Sequence, residues 1–281
     1  MQVIGLCRFS YLGHGGFQIE HDSIEERAGF LYDSNRMEER FRTFETLTLP
    51  SLRAQSDPDF TLLVVTGDSL PAAYLARLRA LLVGLPQAVL RSYAPGKHRQ
   101  VMQEAINSVR RFDKEPCLQF RIDDDDAVAR VYVKRLREAA QDLRKLGRSH
   151  RHIAIDFNQG YIVGTAAEGL SAAPTQRPYT TAALAVMFKP SVKLSVMNFA
   201  HQKLPSLMPT VTFTGEDMLL RGHNDYNDSR QKSGVKPVAL TPLDPEQETL
   251  FRKVFNVDAE YVRRVYSGSG TVSPPRAHDK K

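Results

Sequence analysis

Cysteine is scarce in this sequence and long apolar runs are missing. Only two of 281 residues are cysteine, Cys7 and Cys117. They stand far apart and outside any CxxC or Cys/His spacing, which argues against a disulfide framework or a zinc site and fits a reducing compartment. No stretch approaches the ~18 consecutive apolar residues a membrane-spanning helix requires. Val3-Ile4-Gly5-Leu6 is too short for the core of a secretory leader and is followed at once by Arg8 and a glycine loop. The expectation is a soluble, cytoplasmic protein. There is no GxGxxG fingerprint, no P-loop, no internal repeat and no Pro- or Ser-rich linker between halves, so one compact domain or two closely fused lobes is expected.

What is present is permissive at first sight. Hydrophobic residues make up 42% of the chain, ample for a core. A net charge of +6 and a pI of about 9.3 suit nucleic acid, an anionic membrane surface or anionic small substrates, and charge alone does not choose among them.

The informative stretch is Cys117 to Val128. Six residues of mostly β-forming character run straight into Asp123, Asp124, Asp125 and Asp126, and a helical pattern follows. The acids therefore stand where a buried strand leaves a sheet. Four carboxylates within one turn of chain repel one another unless a cation or a proton neutralises part of the charge. Oxygen-only ligands suit Mg²⁺ or Mn²⁺, and the smaller ion usually keeps waters and shares its shell with substrate phosphates. The run reads as a metal and phosphate site. Its plain alternative is a solvated helix start, in which Asp is favoured as N-cap and in the first turn.

In order, the chain alternates strand and helix. Val3 to Phe9, Phe60 to Thr66, Ala88 to Tyr93 and the acidic strand read as strands. The Tyr11 to Gly16 segment is a glycine-rich turn. Arg36 to Leu52 is a helix carrying Phe41, Phe44, Leu47 and Leu52, interrupted near its end by Pro50. Leu75, Leu78, Leu81 and Leu82 mark a second helix, His98 to Phe112 a third, and Ala127 to Leu146 a long fourth with Val128, Val131, Leu136, Leu143 and Leu146 inward and a basic outer face. Four strands separated by helices predict an α/β layer with a largely parallel sheet. Ligands bind such sheets beyond the carboxyl ends of the strands, where Gly67-Asp68 and the four aspartates fall. From residue 152 onward, His152 to Phe157, Tyr161 to Thr165, Ala183 to Lys189 and Thr210 to Thr214 are strand-like with hairpin-type connections, so antiparallel or mixed pairing is expected there. From Ser267 the chain is Gly, Ser, Pro and basic residues, and residues 267–281 are expected to be disordered.

Several stretches together carry a family resemblance. They are Arg40 to Gln55 (RFRTFETLTLPSLRAQ), Asp59-Phe60 to Gly67-Asp68, Arg121-Ile122-Asp123-Asp124-Asp125-Asp126-Ala127, and His223-Asn224-Asp225-Tyr226-Asn227. On these the chain resembles the GT-A glycosyltransferases and, within them, the rhamnosyltransferase family of bacterial polysaccharide synthesis. The resemblance implies an α/β/α sandwich, mostly parallel in its central sheet with a mixed portion in the second half, spanning residues 1–266. It implies a nucleotide-sugar donor in residues 1–126, a saccharide or glycolipid acceptor in residues 127–266, a divalent ion, Mg²⁺ or Mn²⁺, shared with the donor diphosphate, and a setting in the cytoplasm or at the inner face of a membrane. Carried over by position, Asp123 would face the donor ribose or a metal-bound water. Asp125 would ligate the metal, with Asp126 as second choice and His223 as third ligand. Asp124 is an additional acid where other members tend to have a small or polar residue, and it is grouped with the donor site. Asp68 joins it from the neighbouring strand end, and Arg8 with Arg99 or Arg121 would meet the diphosphate.

The acceptor hydroxyl needs a base. Thr214-Gly215-Glu216-Asp217 resembles the xED element that supplies it in many inverting enzymes, so Asp217 and then Glu216 are the candidates; a helix start with acids in its first turn is the plain alternative. Asp156 is the next candidate, beside Asn158-Gln159-Gly160-Tyr161 as a polar turn with an aromatic platform. Two other classes compete. A metal-dependent phosphodiesterase or nuclease also wants clustered aspartates and a His, though usually from several strands. A basic nucleic-acid-binding module fits the charge, but four aspartates would repel a phosphate backbone and no aromatic-interleaved basic strand is visible. Nucleic acid is therefore not expected as a partner.

Overall fold

The computed structural model describes residues 1–15, 21–224 and 238–268. Gly16 of the glycine turn, Asp225, Tyr226 and Asn227 of the late motif, and 269–281 of the expected tail lie outside the described residues.

The chain opens with β1 (Gln2–Arg8) and the two-residue β2 (Gly13–His14). Then come α1 (Ile24–Leu31), α2 (Ser34–Thr43) and, past a π turn, α3 (Leu49–Arg53). Next are β3 (Thr61–Gly67), α4 (Ala72–Leu82), β4 (Ala88–Tyr93), β5 (Gly96–Lys97), α5 (His98–Val109) and β6 (Cys117–Ile122). The second half holds β7 (Ala127–Val128), α6 (Tyr132–Asp142), α7 (Arg144–Ser149), β8 (His152–Phe157), β9 (Gln159–Ala166) and β10 (Gly169–Gln176). It closes with β11 (Leu184–Phe188), α8 (Leu204–Leu207), β12 (Thr210–Phe213), β13 (Leu219–Gly222), β14 (Thr241–Pro242), α9 (Pro245–Phe255) and α10 (Ala259–Tyr266).

Seven strands form the main sheet in the order β12-β8-β11-β6-β1-β3-β4. Within it only β11 runs against its neighbours, so the sheet is mostly parallel as expected. A second, mixed sheet runs β14-β10-β9-β13-β7 and is built wholly from the second half. Alternation of side chains along each strand sends the main sheet's apolar residues to both faces. Leu118, Phe120 and Ile122 pack with Phe41, Phe44, Tyr132 and Leu136 on one face. Ile4, Leu6, Val65 and Val186 pack with Met102 and Ile106 of α5 and with Val192, Met197 and Leu204 on the other. Helices thus cover both faces, the arrangement a largely parallel sheet requires. Cys7 and Cys117 are both free and buried, without the disulfide that their spacing also argued against.

Pro50 does not end its helix. Proline has no N–H to donate and its ring crowds the carbonyl four residues back. The chain accommodates it by widening into a π turn at Phe44–Thr48, which places Pro50 in the first turn of α3. The turn also delivers Thr48 beneath the acid run: its Oγ1 donates to the backbone carbonyl of Asp126 at 2.8 Å.

The expected helix from Ala127 to Leu146 is corrected by the structure. Ala127–Val128 pair with Leu220 and Leu219 as a strand, and the helix starts only at Tyr132. Val131, expected inward, is exposed at 40%. The acids therefore do not cap a helix; they form the turn between β6 and β7.

Candidate active site

Strand order reverses at β1. Its partner on one side is β3, which leads outward to β4, and on the other side is β6, which leads to the rest of the sheet. Such a switch point opens a crevice at the carboxyl ends of the two strands. The register pairs Cys7 with Ile122, so the next residues, Arg8 and Asp123, emerge side by side. Arg8 Nη2 lies 3.4 Å from Asp123 Oδ1, and its Nη1 lies 3.0 Å from His98 Nε2 at the start of α5. Period-two alternation also puts Arg121 and, on β8, Asp156 on the same face as Arg8 and Asp123.

The four aspartates have four different surroundings. Asp123 is the most open, with 40% of its side chain accessible. Burial works to raise its pKa, but Arg8, Arg121, Arg40 and Arg221 together hold it below the usual carboxylate value. Asp124 turns inward and is 1% exposed. Its Oδ2 meets Arg40 Nη2 of α2 at 2.6 Å, so this acid faces a helix rather than a ligand, and the expectation that it belongs to the donor site is corrected. Asp125 accepts a hydrogen bond from Asn224 Nδ2 at 3.2 Å. Burial, reinforced by the charges of Asp124 and Asp123, pushes its carboxyl up to about 7. Asp126 accepts from the Gly222 backbone N–H at 3.1 Å, and burial followed by Asp125 and Asp123 raises it as well. A backbone bond from Asp126 N–H to Asp123 carbonyl closes the turn at 3.2 Å.

Gly222 explains how the second sheet reaches these acids. A Cβ at this position would fall 2.3 Å from the Asp125 carbonyl oxygen and 2.8 Å from its side chain. Only glycine allows β13 to approach so closely.

A hard divalent cation fits this turn. Two carboxylates whose ionisation is suppressed by burial and then by neighbouring negative charge are relieved by positive charge between them, and their oxygens are the donors Mg²⁺ and Mn²⁺ prefer. Among the described residues no group of three or more His, Cys, Asp or Glu side chains could hold an ion by itself. His223, expected as third ligand, therefore does not complete a protein-only set with the acids. It follows β13, where its backbone N–H donates to the Val163 carbonyl.

The remaining expected residues divide sharply. Arg121 is half-buried, donates through Nη2 to Thr181 Oγ1 at 3.3 Å, and is pushed down to about 10 by desolvation. Arg99 is exposed on the first turn of α5, beside His98. Asp68 is exposed just past β3, its backbone N–H bonded to Tyr93 carbonyl. All three stand at the carboxyl-end side of the main sheet, at the end of β6, the start of α5 and the end of β3. The base candidates do not join them. Asp156 is fully buried and both its oxygens are taken, Oδ1 by the Tyr179 backbone N–H and Oδ2 by Thr212 Oγ1, each at 3.1 Å. It cannot touch an acceptor, and burial raises its pKa. Glu216 is exposed and gripped by Arg135 of α6, with Nε at 2.9 Å. Asp217 accepts from Gln159 Nε2 at 3.0 Å and Tyr161 hydroxyl at 3.3 Å. The register of β13 against β7 and β9 places Asp217 at the opposite end from Gly222, roughly 16 Å of extended chain away. The xED-like acids are not brought to the acid turn. Tyr161 packs on Phe251 at 5.0 Å between centroids, which makes it core support rather than an open platform.

Sequence reasoning missed His98, Arg221 and His201. A histidine at a helix start, an arginine in a short strand and a histidine in a single 3₁₀ turn carry no periodic signal. Arg40, Thr48 and Asn224 stood in the stretches already singled out, without an assigned role.

A family described as "Putative rhamnosyl transferase" matches residues 2–236. No curated protein matches the chain. Among solved structures, the chain is similar to TarS of S. aureus, residues 1–349 in complex with UDP-GlcNAc, at 11% identity and a TM-score of 0.45, with 84% of this chain and 62% of that one covered. A second TarS structure, in complex with UDP, gives 10% identity, a TM-score of 0.44, and coverage of 79% and 61%. The chain thus spans less than two thirds of the TarS chains it matches.

Proposed function

The chain belongs to the rhamnosyl transferase family and is a glycosyltransferase, and from that premise we propose that it moves a sugar, rhamnose first among the candidates, from a nucleoside diphosphate to a saccharide or glycolipid acceptor with inversion. The observation that carries the reading is the juxtaposition of Arg8 with the Asp123–Asp126 turn at the switch point of the sheet. Residues 1–126 form the donor side of one catalytic unit that extends to residue 266, and residues 127–266 the acceptor side.

Asp125 and Asp126 would hold a Mg²⁺ or Mn²⁺ ion, which as a Lewis acid supplies stabilisation of the charge that develops on the departing diphosphate. The protein's own groups do the rest. Asp123, the accessible acid, receives the donor ribose. Arg8 and Arg99 offer planar, permanently charged donors for diphosphate oxygens, with Arg8 held in aim by His98. Asp68 borders the same crevice. Arg121 fixes Thr181 and with it the start of β11. The family match favours this reading over phosphodiester hydrolysis and over nucleic-acid binding. Among the described residues no helix is long and apolar enough to cross a membrane; a cytoplasmic enzyme that meets a glycolipid at the membrane face is the proposed setting.

Calorimetry with UDP, dTDP and GDP tests it. One of the three should bind tightly with Mn²⁺ and much more weakly with chelator, and Asp125→Ala should abolish the difference while the protein stays folded. Equal affinities with and without metal for every nucleotide would overturn the reading.

A further inference from the structure

Three groups on the acceptor side form a hydrogen-bonded chain that the donor site does not use. Asp156, fully buried at the carboxyl end of β8, accepts from the Tyr179 backbone N–H at 3.1 Å and is braced on its other oxygen by Thr212 of β12. Tyr179 has φ of +61°, a left-handed conformation that is strained for a bulky side chain and persists only where its surroundings hold it. The hydrogen bond to the Asp156 carboxylate is one of the contacts that hold the residue there. The same residue's carbonyl lies 2.7 Å from His201 Nδ1. A carbonyl can only accept, so Nδ1 carries the proton and Nε2 keeps its lone pair.

His201 is half-buried, and through Tyr179 it is tied to Asp156 at the carboxyl end of β8, on the sheet face that also carries Arg121 and Asp123. The charged groups whose fields act on its ring are Arg121 from β6, Arg221 from β13 and Asp123 from the acid turn. Burial, then Arg121 and Arg221, outweigh Asp123 and the Tyr179 carbonyl and hold the imidazole below its ordinary value. At neutral pH it is therefore uncharged. A neutral, oriented imidazole within the field of the donor-binding acid is a ready proton acceptor.

We infer that His201 is the base that takes the proton of the acceptor hydroxyl, with Asp156 as a positioning residue acting through the Tyr179 backbone; this rests on the glycosyl-transfer reading above. In the step, the acceptor oxygen forms a bond to the anomeric carbon. The bond from that carbon to the diphosphate oxygen breaks, and its electron pair leaves on the nucleoside diphosphate. The hydroxyl proton passes to His201 Nε2 and is later given up to water, restoring the neutral ring. The inference also accounts for a carboxylate buried where it can reach no substrate.

The test has two arms on the full chain. In the first, a panel of UDP-, dTDP- and GDP-sugars is offered with simple glycoside acceptors, and nucleoside diphosphate release is followed. His201→Gln should lower kcat by about 10²- to 10⁴-fold, remove the acid limb of the kcat/KM profile below pH 6.5, and leave Mn²⁺-dependent UDP, dTDP or GDP affinity within about twofold of the parent, a bound well under the 1.4 kcal/mol of a tenfold change. Asp156→Asn should lower kcat with little change in KM. Parent-like kcat in His201→Gln overturns the inference, and so does loss of nucleotide binding, which would make His201 a donor-site group. The second arm needs no turnover. Nitrogen-detected NMR of the His201 ring should show a proton on Nδ1 and none on Nε2 at pH 7.5, with a mixture of tautomers in Asp156→Asn. A proton on Nε2, or titration at or above 6.5, overturns the assignment even if no donor in the panel is turned over. Failure of all three nucleotides to bind with Mn²⁺ would instead defeat the donor reading.

Discussion

Arg8 donates to a neutral histidine: its Nη1 stands 3.0 Å from His98 Nε2 while its Nη2 turns to Asp123. An uncharged acceptor steadies the guanidinium without adding a second negative charge at the place where a diphosphate is proposed to lie. The imidazole stays neutral because burial, then Arg8, Arg121, Arg99 and Arg27, push its pKa down to about 3.

That depressed value makes stability depend on pH in a definite direction. The unfolded histidine binds a proton near its ordinary value of 6.5 and the folded one does not, so the contribution is present above pH 6.5 and lost as pH falls from there toward 3. Between pH 6.5 and 5 the loss is about 2 kcal/mol. Urea titrations of the parent and of His98→Gln at pH 7 and pH 5 measure it: the parent should lose more stability than the variant by roughly that amount. Parallel losses would mean that His98 protonates freely in the fold.

Asp125 acts with the opposite sign. Its carboxyl is raised to about 7, so ionising it in the fold is costly; the stabilising difference is present at pH 3.8 and below and is lost as pH rises through 7. A divalent ion should relieve that cost only where the acid is ionised. Mn²⁺ is expected to raise Tm clearly at pH 8 and little at pH 5, and Asp125→Asn should flatten the difference. A metal-induced shift of the same size at both pH values would refute this account.

Arg40 and Asp124 form a buried pair at 2.6 Å. Removing one partner strands the other, at a cost of about 3–5 kcal/mol. Asp124→Asn and Arg40→Met should each show a loss of this order in urea titrations, and the double variant should lose clearly less than the sum. If Asp124→Asn remains folded, its Mn²⁺-dependent nucleotide affinity should stay near the parent's, in contrast with Asp125→Ala.

Gly222→Ala tests the close approach of β13. The added methyl meets the Asp125 carbonyl and side chain, and relieving such a clash costs roughly 1–3 kcal/mol. The displaced turn should bind metal and nucleotide more weakly, read by calorimetry alongside a urea titration. Parent affinity with unchanged stability would show that the contact is slack.

Much of the fold was legible in the residues. β4, β6 and β8 coincide with β-forming runs, and the expectation of a largely parallel sheet followed by mixed pairing is met. The helix expected from Ala127 starts only at Tyr132, because β7 takes the first two residues and is too short to interrupt a helical periodicity on paper. Likewise Glu216 and Asp217 resemble a catalytic element by spacing, yet spacing says nothing of where a strand is heading. β13 pairs in a register that carries Gly222 to the acid turn and leaves Asp217 at its far end.

The sequence by itself determined that a strand would end in four acids and that a cation or protons would have to neutralise them, since like charges on adjacent residues repel whatever the fold. It could not determine which acid faces what. That was decided by elements far away in the chain: Arg40 takes Asp124 inward, Asn224 and Gly222 reach Asp125 and Asp126 from β13, and Arg8 with His98 leaves Asp123 the accessible one. Asp156 shows the same division. Its place at a strand end is local, but Tyr179 and Thr212 consume both its oxygens and turn it from a candidate base into support for His201, because hydrogen-bond partners are assigned by packing in space and not by order along the chain.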